Sequence, residues 1–367
     1  MIRVLQCVNN MHRAGLETML MNYYRRIDRE QIQFDFLTHR PERADYDDEI
    51  ESLGGKVYYA PRLYPQNLPH YFRYMSQFFQ EHPEYKIMHS HIDSMSYLPL
   101  KAGKKAGVPV RIAHSHNTSI DKDMKYWLKM YYRGRITGVS SHYLACGQEA
   151  GEFLFKGKPF EVIPNAIEKE PFLFSESLRE NKRRELGLKD ELVIGHVGRI
   201  SYQKNHRLLV QIFNEIVKIN PKSRLLIIGV GEKEEEIRKL VSDLGITDKV
   251  MFLGKRTDVS ELYQAMDAFV MPSFFEGVPV VGVEAQFSKL PCFFSDKVPE
   301  EVKFSQATSF IGLEEKPEVW AQQILHSLAL IPDRKNIILT DNRYDINESY
   351  TVLEDLYKKY SSLIGEQ

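Results

Sequence analysis

Short apolar runs rich in Val, Ile, Leu and Phe alternate with longer amphipathic stretches along the chain. The runs predict strands at Ile2–Val8, Phe34–Thr38, Lys56–Ala60, Ile87–His91, Val110–His116 and Tyr143–Cys146. A second series follows at Val193–Val197, Leu225–Val230, Val250–Leu253, Ala268–Met271, Cys292–Ser295 and Ser309–Gly312. Between them, windows such as Leu16–Ile27, Leu68–Glu81, Leu208–Ile219 and Glu234–Leu244 carry helical spacing. Strands apolar on both faces, alternating with helices, mean parallel sheets covered on both sides, an α/β class. The alternation pauses between Asn165 and Leu192, where Pro164-Asn165-Ala166 forms a turn and Ser177–Glu191 reads as a charged surface helix. Splitting there leaves two domains, the number that 367 residues suggest.

Composition narrows the classes. Hydrophobic residues at 43% and charged residues at 27% exclude wholesale disorder. A net charge of -1 excludes a nucleic-acid coat protein held by bulk charge. Cys7, Cys146 and Cys292 form no CxxC pair and read as buried thiols in a reducing compartment. The stretch Val4–Val8, interrupted by Gln6, is too short for an export signal, and no long apolar run follows. The expected location is cytoplasmic, with at most a surface attachment to a membrane.

In open parallel sheets the loops at the carboxyl ends of strands bind ligands. The first such loop, Asn9 to Glu17, holds one glycine, Gly15, at a strand-to-helix turn; it reads either as an anion site or as a plain connection. The loop after Val193–Val197 holds Gly198, Arg199 and Lys204. Arginine forks onto phosphate oxygens and lysine adds a point charge, a combination suited to a diphosphate. The GxG of Gly229-Val230-Gly231 lacks the third glycine of a dinucleotide fingerprint and reads as a small-residue turn beside a ligand.

The segment from Pro272 to Glu284 says most. Glu276 falls in a loop, Pro279 suits a first helical turn, where its missing N–H costs little, and the amides near Gly277–Val280 form an anion site. Its valines favour a strand, so a helix here requires tertiary packing to override propensity. Glu276 and Glu284 beside a phosphate site make sense as acceptors from sugar hydroxyls.

These motifs, in this order, resemble the retaining glycosyltransferases of the GT-B fold in family four, which includes sucrose-phosphate-type, mannosyl and capsular or exopolysaccharide transferases. The similarity rests on Ala14-Gly15-Leu16-Glu17, Gly198-Arg199…Lys204-Asn205, Phe252-Leu253-Gly254…Asp258-Val259, the Glu276/Glu284 pair and the Pro164-Asn165-Ala166 turn. It implies two Rossmann-like domains facing each other across a cleft. Residues 1–165, completed by a C-terminal helix in 343–367, would bind acceptor, and residues 166–342 would bind nucleotide sugar. Arg199 and Lys204 would hold the diphosphate, backbone near Arg256 would read the base, Glu284 would bind ribose, and Gly15, Glu276, Gly277, Val278 and Pro279 would orient the donor. The family needs no metal or other cofactor, because fixed cations and a helix end offset the developing charge. Ala14, Ala166 and Lys289 stand where the family favours glycine.

The resemblance further implies retention at the anomeric carbon, a UDP-sugar donor ahead of GDP-mannose, and a lipid-linked saccharide acceptor in polysaccharide biosynthesis. A sugar-nucleotide epimerase of the same architecture, a nicotinamide oxidoreductase and a non-catalytic nucleotide-sugar-binding protein are the rival classes. Two HxH pairs, His89/His91 and His114/His116, permit a zinc site, since residues two apart share a strand face. The more economical reading makes one histidine a crevice residue, and the resemblance selects His116, with His114 the alternative. Finally, Lys122, Lys125, Lys129 and Arg133 lie at helical spacing among Trp127, Met130, Tyr131 and Tyr132. They read as a helix packing its aromatics inward or as a basic contact with anionic membrane.

Overall fold

The computed structural model describes residues 1–120, 125–331 and 333–365. The chain divides into two compact units, Met1–Ala166 with Arg343–Gln367, and Ile167–Asn342.

In the first unit, seven strands form one parallel sheet: β1 (Ile2–Cys7), β2 (Ile32–Thr38), β3 (Val57–Tyr59), β4 (Ile87–Ser90), β5 (Val110–Ser115), β6 (His142–Ala145) and β7 (Glu161–Val162), in the order β3-β2-β1-β4-β5-β6-β7. The order reverses between β1 and β4, the switch point at which open α/β sheets bind ligands. All seven residues of β2 are buried, its polar positions included: Asp35 accepts a forked pair from Arg3, which lets a carboxylate sit inside the sheet. The helix Ile346–Gly365 returns to this unit: Leu353, Leu356, Tyr357 and Tyr360 join the cluster built on Val4, Phe34, Phe36 and Tyr23.

In the second unit, β8 (Leu192–Val197), β9 (Ser223–Ile228), β10 (Val250–Gly254), β11 (Ala268–Met271), β12 (Cys292–Ser295) and β13 (Thr308–Ile311) are ordered β10-β9-β8-β11-β12-β13, again parallel, with the switch between β8 and β11. The charged window before β8 is a helix over Glu176–Glu185, where Ser175 accepts from the Leu178 amide. The core packs Trp320, Phe213, Leu209 and Ile212 against Ile194, Leu225 and Ile227.

Three details differ from the sequence pattern. β9 stops at Ile228 because Gly229 turns the chain at φ +133. Pro279 caps the helix Val280–Phe287 from outside, so the helix starts after the proline instead of on it. β7 has only two residues, both exposed, and leaves no hydrophobic signature. The three cysteines are buried and form no disulfide. Among the described residues no helix is long and apolar enough to cross a membrane.

Candidate functional site

In the second unit, β8 delivers a loop that folds onto the loop after β11. The Gly198 amide donates to the Ile228 carbonyl, and a Cβ on Gly198 would stand 3.2 Å from Lys204 Cε, so the lysine stem lies across the glycine. Its ammonium donates to Glu276 Oε1 at 2.7 Å, with both side chains largely out of solvent. Gln203 ties the same loops together, donating to the Phe275 carbonyl at 3.0 Å and to Glu276 at 3.2 Å while its own carbonyl accepts from the Phe274 amide. Tyr202 stacks on Phe274 outside this joint. Asn205, at φ +51, caps the following helix by accepting from the Leu208 amide.

The two cations predicted to act together take different carboxylates. Arg199, 73% exposed, pairs with Glu232 at 3.0 Å, while Lys204 pairs with Glu276. An exposed pair of this kind is readily exchanged for a ligand, because it contributes roughly 0.2–1 kcal/mol. Gly229 and Gly231 explain the GxG: a Cβ on either would lie 2.1–2.2 Å from the Gly198 or Ile200 carbonyl oxygen. They allow loop to pack on loop, and no direct ligand contact is needed to account for them.

Glu276, Gly277, Val278 and Pro279 are buried. With Pro279 outside the helix, its carbonyl takes the Gly282 and Val283 amides. Glu284 accepts from Tyr263 at 2.9 Å. Burial pushes its carboxyl up to about 7, against the Tyr263 hydrogen bond, which lowers it. Arg256 is committed through its side chain to Asp258, at 2.6 and 2.7 Å.

Sequence reasoning missed His196 and His206, which pack edge-to-face beneath the Lys204 loop. Burial drives His196 down to about 4 and His206 to about 2. Both are therefore neutral beside the Lys204 cation. The signal available was a histidine in each of two consecutive motif segments, His196 before Gly198 and His206 after Asn205.

In the first unit, Gly15 opens the helix Gly15–Arg26, and Ala14 before it supplies no side-chain cap. The four histidines meet on one face of the sheet. His89 Nε2 lies 3.1 Å from His114 Nδ1, and His91 Nδ1 lies 3.1 Å from His116 Nε2. Gln6 and Tyr357 close the cluster: Gln6 Nε2 donates to Tyr357 Oη at 3.0 Å, Gln6 Oε1 faces His91 Nε2 at 2.8 Å, and Tyr357 Oη reaches His89 Nδ1 at 2.6 Å. Burial lowers all four imidazoles, His116 to about 3. His89, His91 and His114 bring ring nitrogens within 4.8 Å of one another, a set able to hold a transition metal. That set has no carboxylate among the described residues, and five of its six nitrogens already serve one another, His116, Gln6 and Tyr357, while His114 Nε2 is buried without a hydrogen-bond partner among the described residues. His116 sits at the edge of the cluster and is partly exposed, with its amide held by Asp93 at 2.7 Å.

The basic-aromatic helix spans Tyr126–Arg133; Lys122 lies outside the described residues. Its aromatics do not all pack inward. Tyr132 is buried, but Trp127 is 80% and Tyr131 50% exposed. Lys125 lies over the Tyr64 ring, and Arg133 donates to the Phe153 carbonyl while stacking on its ring, so these cations face protein.

Two doubly wound units, one with a cationic glycine loop joined to a carboxylate beside a helix end, define a transferase of the GT-B class. Residues 178–339 match the family model described as glycosyl transferases group 1, and residues 13–170 the model described as glycosyltransferase family 4. The chain belongs to this family of glycosyltransferases. EpsF of Bacillus subtilis (strain 168), named as a glycosyltransferase, is 34% identical over 368 residues, covering 97% of this chain and 96% of EpsF. The capsular polysaccharide biosynthesis glycosyltransferase CapH of Staphylococcus aureus is 26% identical over 97% of this chain and 99% of its own. The crystal structure of HepE from Anabaena with UDP and glucose superposes with a TM-score of 0.75 at 17% identity, covering 100% of this chain and 99% of HepE, a likeness of fold.

Proposed function

We propose that this glycosyltransferase moves a hexosyl group from a UDP-sugar to a hydroxyl of a lipid-linked saccharide in the assembly of an extracellular or capsular polysaccharide. The observation that carries the reading is the Lys204–Glu276 pair fastened by Gln203 to the loop of Gly198. The pair supports the reading because it offers an ammonium to a departing diphosphate and a carboxylate to sugar hydroxyls. The capsular relative and the UDP-bound neighbour support the polysaccharide role and the donor class.

In this reading the bond between the anomeric carbon and the phosphate oxygen breaks, and its electron pair leaves with UDP. Arg199 and Lys204 exchange their carboxylate partners for the diphosphate and stabilise it. The acceptor oxygen attacks from the same face, and its proton passes to the departing phosphate, giving retention. His116, Glu276 and Gly15 orient the donor sugar, Glu284 the ribose, and backbone at Arg256 the base. No metal is required, since these cations do its work. The protein acts in the cytoplasm at a membrane face, with Trp127 and Tyr131 as the interfacial contact; their exposure supports that attachment.

A thermal-shift panel of nucleotide sugars tests the donor, because a ligand that binds the native state raises the melting point. UDP-sugars should raise it in EDTA, and UDP should then be released only with a saccharide acceptor. An epimer formed from donor alone would replace the transferase reading, and an inverted anomeric product would remove retention.

A further inference from the structure

A second cavity lies wholly within the first unit, at the carboxyl ends of β1, β2 and β4. Its volume is about 230 Å³, and Asn9, Arg40, Arg62, Tyr64, Lys125 and Lys129 are among its lining residues. Four cations surround it, and among the described residues no carboxylate lines it. The neighbouring acids are occupied elsewhere: Glu42 pairs with Arg62 at 3.4 Å from outside the lining, and Asp93, which feels the charge of Lys129, bonds the His116 amide and Asn117. Tyr64 reports the field. Its hydrogen bond with Arg62, then the charges of Arg40 and Lys125, hold its phenol below the ordinary range.

One atom points to a missing acceptor. Arg62 Nε is buried and has no hydrogen-bond partner among the described residues. An unmet buried donor is costly, and an anion in the cavity would satisfy it. The volume is below the roughly 300–1,000 Å³ of sites that enclose whole small molecules, so the cavity suits a head group and not a nucleotide sugar.

We propose that this cavity is the acceptor's anchor, binding a diphosphate group between Arg40, Arg62, Lys125 and Lys129. The inference rests on the transferase reading, whose acceptor it specifies: a saccharide esterified to a diphosphate. Guanidiniums grip the paired oxygens as forks, the two lysines neutralise them as point charges, and Asn9 donates from the end of β1. The helix Tyr126–Arg133 fits a lipid on the far side of that diphosphate. Lys125 and Lys129, one turn apart, face the cavity, while Trp127 and Tyr131, also one turn apart, face solvent.

Calorimetric titration of the full chain with inorganic pyrophosphate and with geranyl diphosphate, both under saturating UDP, tests this. Binding should persist with UDP present, weaken steeply with salt, and fall at least tenfold in the Arg40→Gln/Arg62→Gln double variant. Lys129→Gln should lose affinity severalfold and serves if the double variant does not fold. Tighter binding of geranyl diphosphate than pyrophosphate identifies a lipid-borne group; equal binding identifies the diphosphate alone. Wild-type affinity in the folded variants, or no binding once UDP is bound, overturns the inference. Sugar transfer without UDP-independent diphosphate binding would sink this inference only, and diphosphate binding without transfer to any acceptor would sink the function only.

Discussion

His116 Nε2 donates to His91 Nδ1 across 3.1 Å, and the direction of that bond is set by two residues that never touch His116. Gln6 donates to Tyr357, so the phenol proton goes to His89 Nδ1, and His89 Nε2 donates to His114. The carbonyl of Gln6 accepts from His91 Nε2, which leaves His91 Nδ1 an acceptor. Turning the Gln6 amide over would reverse every bond and every tautomer together. The direction follows from the Gln6 amide, whose Nε2 faces Tyr357, and it leaves the His114 proton on Nε2, which is buried without a hydrogen-bond partner among the described residues. His116 Nδ1 then carries a lone pair, ready to accept from a sugar hydroxyl. Nitrogen-15 NMR of histidine-labelled protein at neutral pH should show all four rings protonated at Nε2 only. Gln6→Leu should mix the tautomers of all four rings; a proton on His116 Nδ1 in the wild type would refute this direction.

Lys204 and Arg199 should separate in stability while agreeing in catalysis. Lys204→Ala takes the cation from the nearly buried Glu276 carboxylate, leaving Gln203 to donate to it, and should cost about 3 kcal/mol. Arg199→Ala removes an exposed pair and should cost under about 1 kcal/mol. Both should lower kcat by at least tenfold with a smaller effect on donor KM, since both act on the leaving diphosphate. Denaturant titration with steady-state kinetics checks the pattern; near-normal turnover in both variants removes the cationic clamp.

Much of the fold was legible because parallel strands are buried on both faces and read as unbroken apolar runs. The window Leu68–Glu81 coincides with the observed helix, and β11 and β12 with their predicted ranges. The helix Val280–Phe287 was legible only through Pro279, since its valines argue for a strand. The polar network was not. Tyr357 is 268 residues from the His89 it bonds, and Lys204 is 72 from Glu276. Spacing marks such residues as candidates, and only the fold assigns their partners. The same limit hid the cationic cavity, whose arginines follow different strands.

Gly229 and Gly245 both have positive φ and should respond differently to alanine. At Gly245, φ +69, nothing lies within 4 Å of a new Cβ, so the cost is the left-handed backbone alone, about 1 kcal/mol. At Gly229 the Cβ would meet the Gly198 carbonyl oxygen at 2.1 Å, and the donor loop must move. Gly229→Ala should lose roughly 2–4 kcal/mol, the overpacking and backbone costs together. It should also weaken UDP binding, whereas Gly245→Ala should leave UDP affinity alone. Equal losses in the two would show that the β8 and β9 loops do not depend on this close approach.

Glu284 should make donor affinity and stability move in opposite directions with pH. Its folded pKa of about 7 lies above the unfolded value, so its contribution to stability is full below about 4.5 and is lost as pH rises through 7. With the side chain partly exposed, that loss is on the order of 2 kcal/mol. Accepting from two ribose hydroxyls requires the carboxylate, so kcat/KM for donor at limiting concentration should climb from pH 6 to 8 with an apparent pKa near 7. Glu284→Gln should flatten both profiles, lower donor affinity at pH 8 by about tenfold, and be more stable than wild type at that pH. A variant that keeps the wild-type slope would take Glu284 out of the ribose site and assign the titration to another group.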